Sequence, residues 1–300
     1  MEQLERERIR EILSNVRRVE LRTKRFVDSI FQGAYKSTFK GRGIEFSEVR
    51  EYQPGDDIRT IDWNVTARFG HPYVKEFIEE RDLTILIAFD ISGSLDFGTQ
   101  SNLKKDTATE LIASIAFSAL RNNDRVGLIL FSNRVEKYIP PRKGRKQVMR
   151  VIRETLYHEP EEKATDLNQG LEFISRITRK KAIVFFISDF NEPVENYAKS
   201  MRILGKKHDL ISVNIRDLRE EEIPDVGLVS LEDGETGEQI LVDTSDEEFR
   251  RNFIELANEQ RERTTRFHRS NGIDIIDIRT DYDWTKEMIK FFGIRRRRIR

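Results

Sequence analysis

The sequence predicts an α/β fold with a mostly parallel central sheet flanked by helices. Four short apolar runs have the length and composition of strands that are buried on both faces: Leu83–Phe89, Val126–Phe131, Ala182–Ile187 and Leu210–Ile215. Helical segments are interspersed among them: Asn102–Leu120, Lys146–Leu156, Leu167–Ile177 and Val194–Leu204. Strands that alternate with helices are typical of a parallel sheet that is covered on both sides.

The remaining elements extend this core. Val135–Ile139 follows the second strand after a very short link, so we expect an antiparallel edge strand. Gly227–Leu231 and Gln239–Val242 predict a hairpin inserted near 226–243, since a polar, glycine-containing link joins them. An amphipathic helix, a last strand and a last helix are predicted over Asp246–Arg269, Ile273–Ile278 and Trp284–Phe292.

The chain upstream of the sheet divides into two segments. Residues 1–32 have apolar side chains at largely helical spacing with charges between them, which predicts an N-terminal amphipathic helix. This helix either braces the domain or docks a partner. Residues 33–80 contain turns such as Pro54-Gly55 and read as a small β/loop subdomain, and residues 81–300 form the α/β domain. Within residues 33–80 we expect a small satellite core formed by Tyr52, Trp63, Phe69, Tyr73 and Phe77.

The composition excludes several classes of function. The chain has 300 residues, with 53 basic and 53 acidic side chains, so no net charge draws it to nucleic acid or to anionic membranes. It has no cysteine, which excludes disulfides, thiolate zinc sites and cysteine nucleophiles. The N-terminus is too charged for a signal peptide, and no apolar stretch approaches the roughly 20 residues of a spanning helix. We therefore expect a soluble, cytoplasmic protein without a transmembrane segment.

Oxygen-bearing side chains follow two of the predicted strands. Asp90, Ser92 and Ser94 come directly after the first strand, and Asp189 closes the third. Ligands of open α/β sheets bind beyond the carboxyl ends of strands at the point where the strand order reverses, and Thr165, before a predicted helix, can join them there. Such hard donors, with no thiol in the chain, favour Mg²⁺, with Mn²⁺ or Ca²⁺ as other candidates, over zinc or copper.

Each of these residues also has a purely structural explanation. Asp90 can simply end a strand, and Ser92 or Ser94 can cap a following helix. Thr165 or Asp166 can cap the helix that begins at Leu167. The metal site is therefore indicated by the combination and its order along the chain.

The five residues resemble the metal-ion-dependent adhesion site of von Willebrand factor A-type domains, which have a Rossmann-like fold. Asp90, Ser92 and Ser94 match its first motif, Thr165 its second and Asp189 its third. The resemblance implies a divalent cation on these five side chains. The sequence departs from the pattern at Phe190, where a glycine often follows the aspartate.

The segment 41–63, which contains Tyr52-Gln53-Pro54-Gly55-Asp56-Asp57 and ends at Trp63, resembles the hallmark of the bacterial domain-of-unknown-function 58 family. That family places the segment before an A-type domain, and the resemblance runs from about 33 to 292. It implies a partnership with MoxR-type AAA+ ATPases in protein maturation, complex assembly or stress responses. The charges of the segment form either an ion-pair network or a docking face, and Trp63 is expected in the core.

These patterns favour a metal-dependent protein-binding module over an enzyme. A partner's Asp or Glu carboxylate would complete the coordination of the ion. The alternative is a Mg²⁺-dependent phosphohydrolase with Asp90 as nucleophile. Phosphatases of the haloacid dehalogenase type have a second aspartate two positions later, where this chain has Ser92, and no lysine is evident to support the phosphoryl group.

The arginine-rich tail Arg295–Arg300 suggests a third possibility. Five arginines in six residues can bind phosphates of nucleic acid or membrane. Its structural explanation is a frayed, solvated terminus. Nucleic acid is otherwise not expected as a partner.

Overall fold

The computed structural model describes residues 45–78, 83–98 and 103–298. The N-terminal helix predicted for residues 1–32 lies outside these ranges. The chain divides into two compact units, one of which spans Phe39–Leu83 while the other contains Thr84–Arg300.

The small unit is a β-hairpin with helical turns in its connection. Strand β1 (Glu45–Glu51) pairs antiparallel with β2 (Tyr73–Ile78). A 3-10 turn and a short helix, α1 (Trp63–Phe69), lie between them. The helix begins after Asp62, whose carboxylate accepts the backbone N–H groups of Asn64 and Val65, and it ends at Gly70 in the left-handed conformation. The sequence predicted the strands but not this helix.

The predicted satellite core of the small unit is wrong in part. Asp62 is the N-cap, so Trp63 is the first residue of the helix and Phe69 its last. Trp63 is 68% exposed and Phe69 is 60% exposed, so neither belongs to a core. Val74 is buried instead. The side chain of Phe77 lies outside the part that the structure describes.

Part of the expected ion-pair network is present. The Arg50 guanidinium binds both carboxylate oxygens of Asp56 at 2.7 and 2.8 Å. The hydrogen bonds from Arg50 and from the Gln53 N–H lower the pKa of Asp56 to about 2. Because these charges pair with each other, they support the structural explanation of the segment.

The large unit is built on a six-stranded sheet with the order β10-β7-β6-β3-β4-β5. All neighbours are parallel except β4 and β5. The strands are β3 (Thr84–Asp90), β4 (Arg125–Phe131), β5 (Val135–Arg142), β6 (Ile183–Ser188), β7 (Asp209–Arg216) and β10 (Asp274–Arg279). Counted within this sheet alone, the order is the doubly wound 3-2-1-4-5-6. The predicted Rossmann-like, von Willebrand factor A-type architecture with an antiparallel edge strand is thereby confirmed.

Helices cover the sheet on both faces. They are α2 (Lys104–Arg121), α3 (Arg145–Tyr157), α4 (Leu167–Ile177), α5 (Val194–Lys207), α6 (Leu218–Glu221), α7 (Glu247–Ser270) and α8 (Trp284–Arg298). Residues of α4, α5 and α7 form one apolar core with alternate residues of the central strands, such as Leu86 and Ala88. Helix α2 packs with α3, and most of its residues are buried, including several small polar ones.

Two further features lie at the margin of this unit. Strands β8 (Leu228–Glu232) and β9 (Gln239–Asp243) form a separate two-stranded hairpin, as predicted. The edge strand β5 carries Pro140 and Pro141, neither of which has a backbone N–H.

The arginine-rich tail is not frayed as far as it is described. Helix α8 continues to Arg298, six residues beyond the predicted end at Phe292. Arg295 forms ion pairs with Asp209 and Asp274, so this arginine holds the helix against the sheet. The frayed-terminus explanation is therefore wrong for residues 295–298.

None of the described helices combines the length and apolar character needed to cross a membrane.

Candidate metal centre

Asp90 lies at the carboxyl end of β3, beside the switch point between β3 and β6. Its side chain is fully buried. One carboxylate oxygen accepts the Ser92 N–H at 3.0 Å, and the other accepts the Ser188 hydroxyl at 2.8 Å. Among the described lysines and arginines, none forms an ion pair with Asp90. Burial, and then the charge of Asp189, raise the pKa of Asp90 to about 7.

The loop after Asp90 is held by backbone hydrogen bonds from two directions. The Ile91 N–H donates to the Phe131 carbonyl at the end of β4, and the Gly93 N–H donates to the Lys163 carbonyl, each at 2.8 Å. The hydroxyls of Ser92 and Ser94 lie 3.1 Å apart. Ser92 precedes a 3-10 turn, but its side chain makes no capping hydrogen bond, so the capping explanation does not hold for this serine.

Thr165 lies in the loop before α4, and it is not the cap of that helix. Asp166 is the cap, because its carboxylate accepts the Asn168 N–H at 2.9 Å. Thr165 contacts the hairpin instead. Its hydroxyl donates to Glu235 Oε1 at 2.5 Å, and its backbone N–H donates to Glu235 Oε2 at 3.2 Å.

Asp189 follows β6 and is paired with a buried lysine. Lys104 Nζ lies 2.8 Å from Asp189 Oδ2 and 2.5 Å from Glu220 Oε1. The Lys104 side chain is fully buried at the start of α2. Burial lowers the pKa of Lys104, but the charges of Asp189 and Glu220 outweigh it and raise the pKa above its usual value. Lys104 is therefore a resident cation of this site.

Phe190 occupies the position after Asp189 where a glycine is often found, and it adopts the backbone conformation that a glycine would favour. Its φ is +52°, in the left-handed region where glycine is favoured. The buried ring packs against Phe186, Tyr197 and His268. The turn thus keeps the shape that a glycine would give, and core packing offsets a conformational cost of about 1 kcal/mol.

The five predicted residues meet at one edge of the sheet, where three of them line a cavity and two are buried. Ser94, Thr165 and Asp189 line a common cavity of about 850 Å³, which Glu235 also lines. Asp90 and Ser92 are buried and are not among the residues that line it; Ser92 connects to the cavity through its contact with Ser94. No group of three or more His, Asp or Glu side chains within the described ranges is arranged to hold a metal. The five predicted ligands by themselves offer a cation two carboxylates and three hydroxyls.

This donor set fits a hard divalent cation. Every candidate ligand is an oxygen, and the buried Asp90 carboxylate has no cation of its own in the described structure. Such a charge is costly to bury unless it is protonated, paired or bound to metal. Mg²⁺ commonly uses one or two carboxylates and keeps several waters, which this site can accommodate.

Sequence reasoning missed three residues of the site: Lys104, Ser188 and Glu235. Lys104 and Asp189 are 85 residues apart, and Thr165 and Glu235 are 70 apart, so no local pattern links them. Ser188 precedes a predicted ligand, and its position as the last residue of β6 was the one available signal.

Comparison with known proteins gives the family. The model of the "Protein of unknown function DUF58" family matches residues 48–263. Uncharacterised proteins of Mycobacterium bovis and Mycobacterium tuberculosis are each 33% identical over 284 residues, which cover 94% of this chain and 89% of theirs.

Solved structures are similar at a lower level. BatB from Bacteroides thetaiotaomicron has 15% identity and a TM-score of 0.46, covering 72% of this chain and 98% of its own. The SpRpn10 VWA domain has 11% identity and a TM-score of 0.40 over 70% of this chain and 95% of its own. Proximal thread matrix protein 1 from the mussel byssus, solved with a zinc-occupied MIDAS motif, has 18% identity and a TM-score of 0.34 over 45% of this chain and 38% of its own.

The family model covers most of the chain, and the mycobacterial relatives match nearly all of it. The chain belongs to the DUF58 family.

Proposed function

We propose that this protein is a protein-binding module that depends on a divalent cation, with Mg²⁺ on Asp90, Ser92, Ser94, Thr165 and Asp189. A partner's Asp or Glu carboxylate completes the coordination of the ion. Binding is then switched by the metal, because the contact between partner and module runs through it.

The observation that carries the proposal is the fully buried carboxyl group of Asp90 at the end of β3. The carboxylate accepts two hydrogen bonds but has no described cation beside it, whereas Asp189 is paired with Lys104. A divalent ion would supply the missing positive charge. The hydroxyls of Ser92 and Ser94 are neutral, so an ion held there keeps much of its attraction for an incoming carboxylate.

Calorimetric titration with Mg²⁺ or Mn²⁺ tests the metal. We expect Asp90→Asn to weaken binding by at least tenfold, since it removes one of two carboxylates. Asp96→Asn is the matched control, because Asp96 lies in the same turn but its side chain is 52% exposed. Equal affinity of wild type and Asp90→Asn would overturn the proposal.

The proposed partner is a MoxR-type AAA+ ATPase, which the resemblance to the family implies. A purified ATPase of this type from the same organism should bind in Mg²⁺ and be released by EDTA. Asp90→Asn should abolish the interaction while Asp96→Asn keeps it. Binding that is indifferent to EDTA and to Asp90 would contradict a metal-bridged contact.

The phosphohydrolase alternative gains one observation, because a lysine does lie at the site. Lys104, however, is fully buried and is already bound to Asp189 and Glu220. Mg²⁺-dependent hydrolysis of p-nitrophenyl phosphate, lost in Asp90→Asn, would favour the enzyme over the binding module.

A further inference from the structure

The β8–β9 hairpin presents a carboxylate to the candidate metal centre. Glu235 lies at the tip of the hairpin, between the two strands, and both of its carboxylate oxygens accept hydrogen bonds from Thr165. The Thr165 hydroxyl is one of the five proposed metal ligands. Glu235 therefore lies next to any ion that Thr165 holds.

The backbone of the hairpin tip is seated on the first motif. A Cβ added to Gly93 would lie 2.0 Å from the Gly234 carbonyl oxygen, a distance that real side chains do not reach. A Cβ added to Gly234 would lie 3.0 Å from the Gly93 carbonyl oxygen. Glycine on both sides is what permits this close approach. The contact of Glu235 with the site is thus part of a fitted surface.

The turn itself fixes the direction of Glu235. The Asp233 carboxylate accepts the N–H of Glu235 at 2.8 Å and that of Thr236 at 3.0 Å. The Gly237 N–H donates to the Asp233 carbonyl. These bonds keep the tip rigid, so the Glu235 carboxylate reaches Thr165 at little entropic cost.

The strands behind the tip are weakly anchored. β8 and β9 pair only with each other in the described structure, and Leu228 and Leu241 are 68% and 72% exposed. At the base, the Thr244 hydroxyl accepts the Val226 N–H and donates to the Gly227 carbonyl. Because the hairpin is not hydrogen-bonded to the six-stranded sheet among the described residues, its displacement from the site would leave that sheet paired.

The distribution of charge at the site indicates that the Glu235 carboxylate would strengthen cation binding. Lys104 neutralises Asp189, and of the two predicted carboxylate ligands Asp90 is then the one with no cation beside it among the described residues. Cation affinity rises with the number of charged ligands, so a second free carboxylate strengthens binding.

We propose that Glu235 is an internal ligand of the metal site. A protein partner then binds the metal by displacing the β8–β9 hairpin and supplying an acidic residue of its own in place of Glu235. This rests on the proposed metal-dependent binding. The hairpin tip also indicates the kind of partner segment that fits: an acidic residue preceded by glycine in a tight turn, because a side chain at the position of Gly234 would meet Gly93.

Mn²⁺ alone is the probe that tests the internal ligand. Affinity is measured by calorimetry, and the water on bound Mn²⁺ by water proton relaxation. We expect Glu235→Gln to weaken Mn²⁺ binding by about tenfold, the lower range for loss of a residue that supports a metal. Relaxation per bound Mn²⁺ should rise as water replaces the carboxylate. Glu238→Gln, in the same loop and exposed, should stay within about twofold of wild type.

Amide hydrogen exchange without metal gives a second measurement. Glu235→Gln should exchange about tenfold faster over residues 228–243, because the charge-assisted bonds to Thr165 weaken. Exchange in β6 should not change, which shows that the fold is intact.

The results separate the two proposals. If Glu235→Gln matches wild type in affinity and relaxation while Asp90→Asn binds poorly, the internal ligand is refuted and the metal site stands. If wild type binds no Mn²⁺, or binds it no better than Asp90→Asn does, the metal site is refuted and the internal ligand with it.

Discussion

Removal of the buried ammonium in Lys104→Met should destabilise the protein strongly. Lys104 is fully buried, and it lies 2.8 Å from Asp189, whose side chain is 3% exposed. Methionine fills a similar volume but leaves that carboxylate buried without its cation. Breaking a buried pair in this way typically costs about 3–5 kcal/mol. Glu220 is 26% exposed, so water compensates part of the loss on its side and the lower end of the range is expected.

Urea unfolding in EDTA measures this loss. At a slope of about 3 kcal/mol per molar urea, a loss of about 3 kcal/mol lowers the midpoint by about 1 M. Lys105→Met is the matched control, since Lys105 is the next residue and lies 3.6 Å from the exposed Asp96. That variant should lose less than about 1 kcal/mol, as for other surface pairs.

A second substitution and added Mg²⁺ should each offset part of the loss in Lys104→Met. Lys104→Met with Glu220→Gln should recover part of the stability, because one uncompensated charge is removed. Mg²⁺ should stabilise Lys104→Met more than wild type, since Asp189 then has no other cation. Equal urea midpoints for Lys104→Met and Lys105→Met would refute the view that Lys104 neutralises the site.

Two other predictions concern buried polar groups away from the site. Gln147 donates its amide N–H groups to the Val126 and Pro140 carbonyls, each at 2.9 Å, so Gln147→Leu should cost about 1–3 kcal/mol in urea unfolding; no loss would show that water replaces these bonds. Burial lowers the pKa of His208 to about 4, and its Nδ1 accepts the Ala182 N–H. In the unfolded chain this histidine keeps its usual, higher pKa, so the unfolded chain takes up the proton first as the pH falls. The contribution of His208 to stability should be complete above about pH 6.5 and fall by about 2–3 kcal/mol toward pH 4, and the difference between wild type and His208→Asn in urea unfolding at each pH should show this dependence.

The strands and the mostly parallel character of the sheet were predictable because the strands are encoded locally, whereas the full strand order comes from the structure. Runs such as Ala182–Ile187 are apolar without interruption, and that pattern has few interpretations in a chain of alternating strands and helices. The helix α1 was missed because its signal is a single cap, Asp62, within a segment rich in turns.

The candidate site was predictable where its residues follow strand ends or, like Thr165, lie just before a predicted helix. Asp90 and Asp189 lie at strand ends, and the sheet order brings them to the same crevice. Lys104 and Glu235 come from a helix and a hairpin, and their positions depend on how distant segments pack. From the sequence alone, a lysine in the first turn of α2 is expected to be a solvent-exposed charge. Only the structure shows that Asp189 lies beside it.

The two prolines of β5 determine how a partner can approach the sheet. A strand that adds to a sheet edge needs a regular row of amide hydrogens, and one of the adjacent Pro140 and Pro141 interrupts that row, since successive residues of a strand face opposite sides. Docking by strand addition is therefore disfavoured along β5, and copies of the chain are kept from joining edge to edge there. A partner that approaches the domain at β5 therefore has to recognise side chains, which makes recognition there depend on residue identity more than on backbone shape.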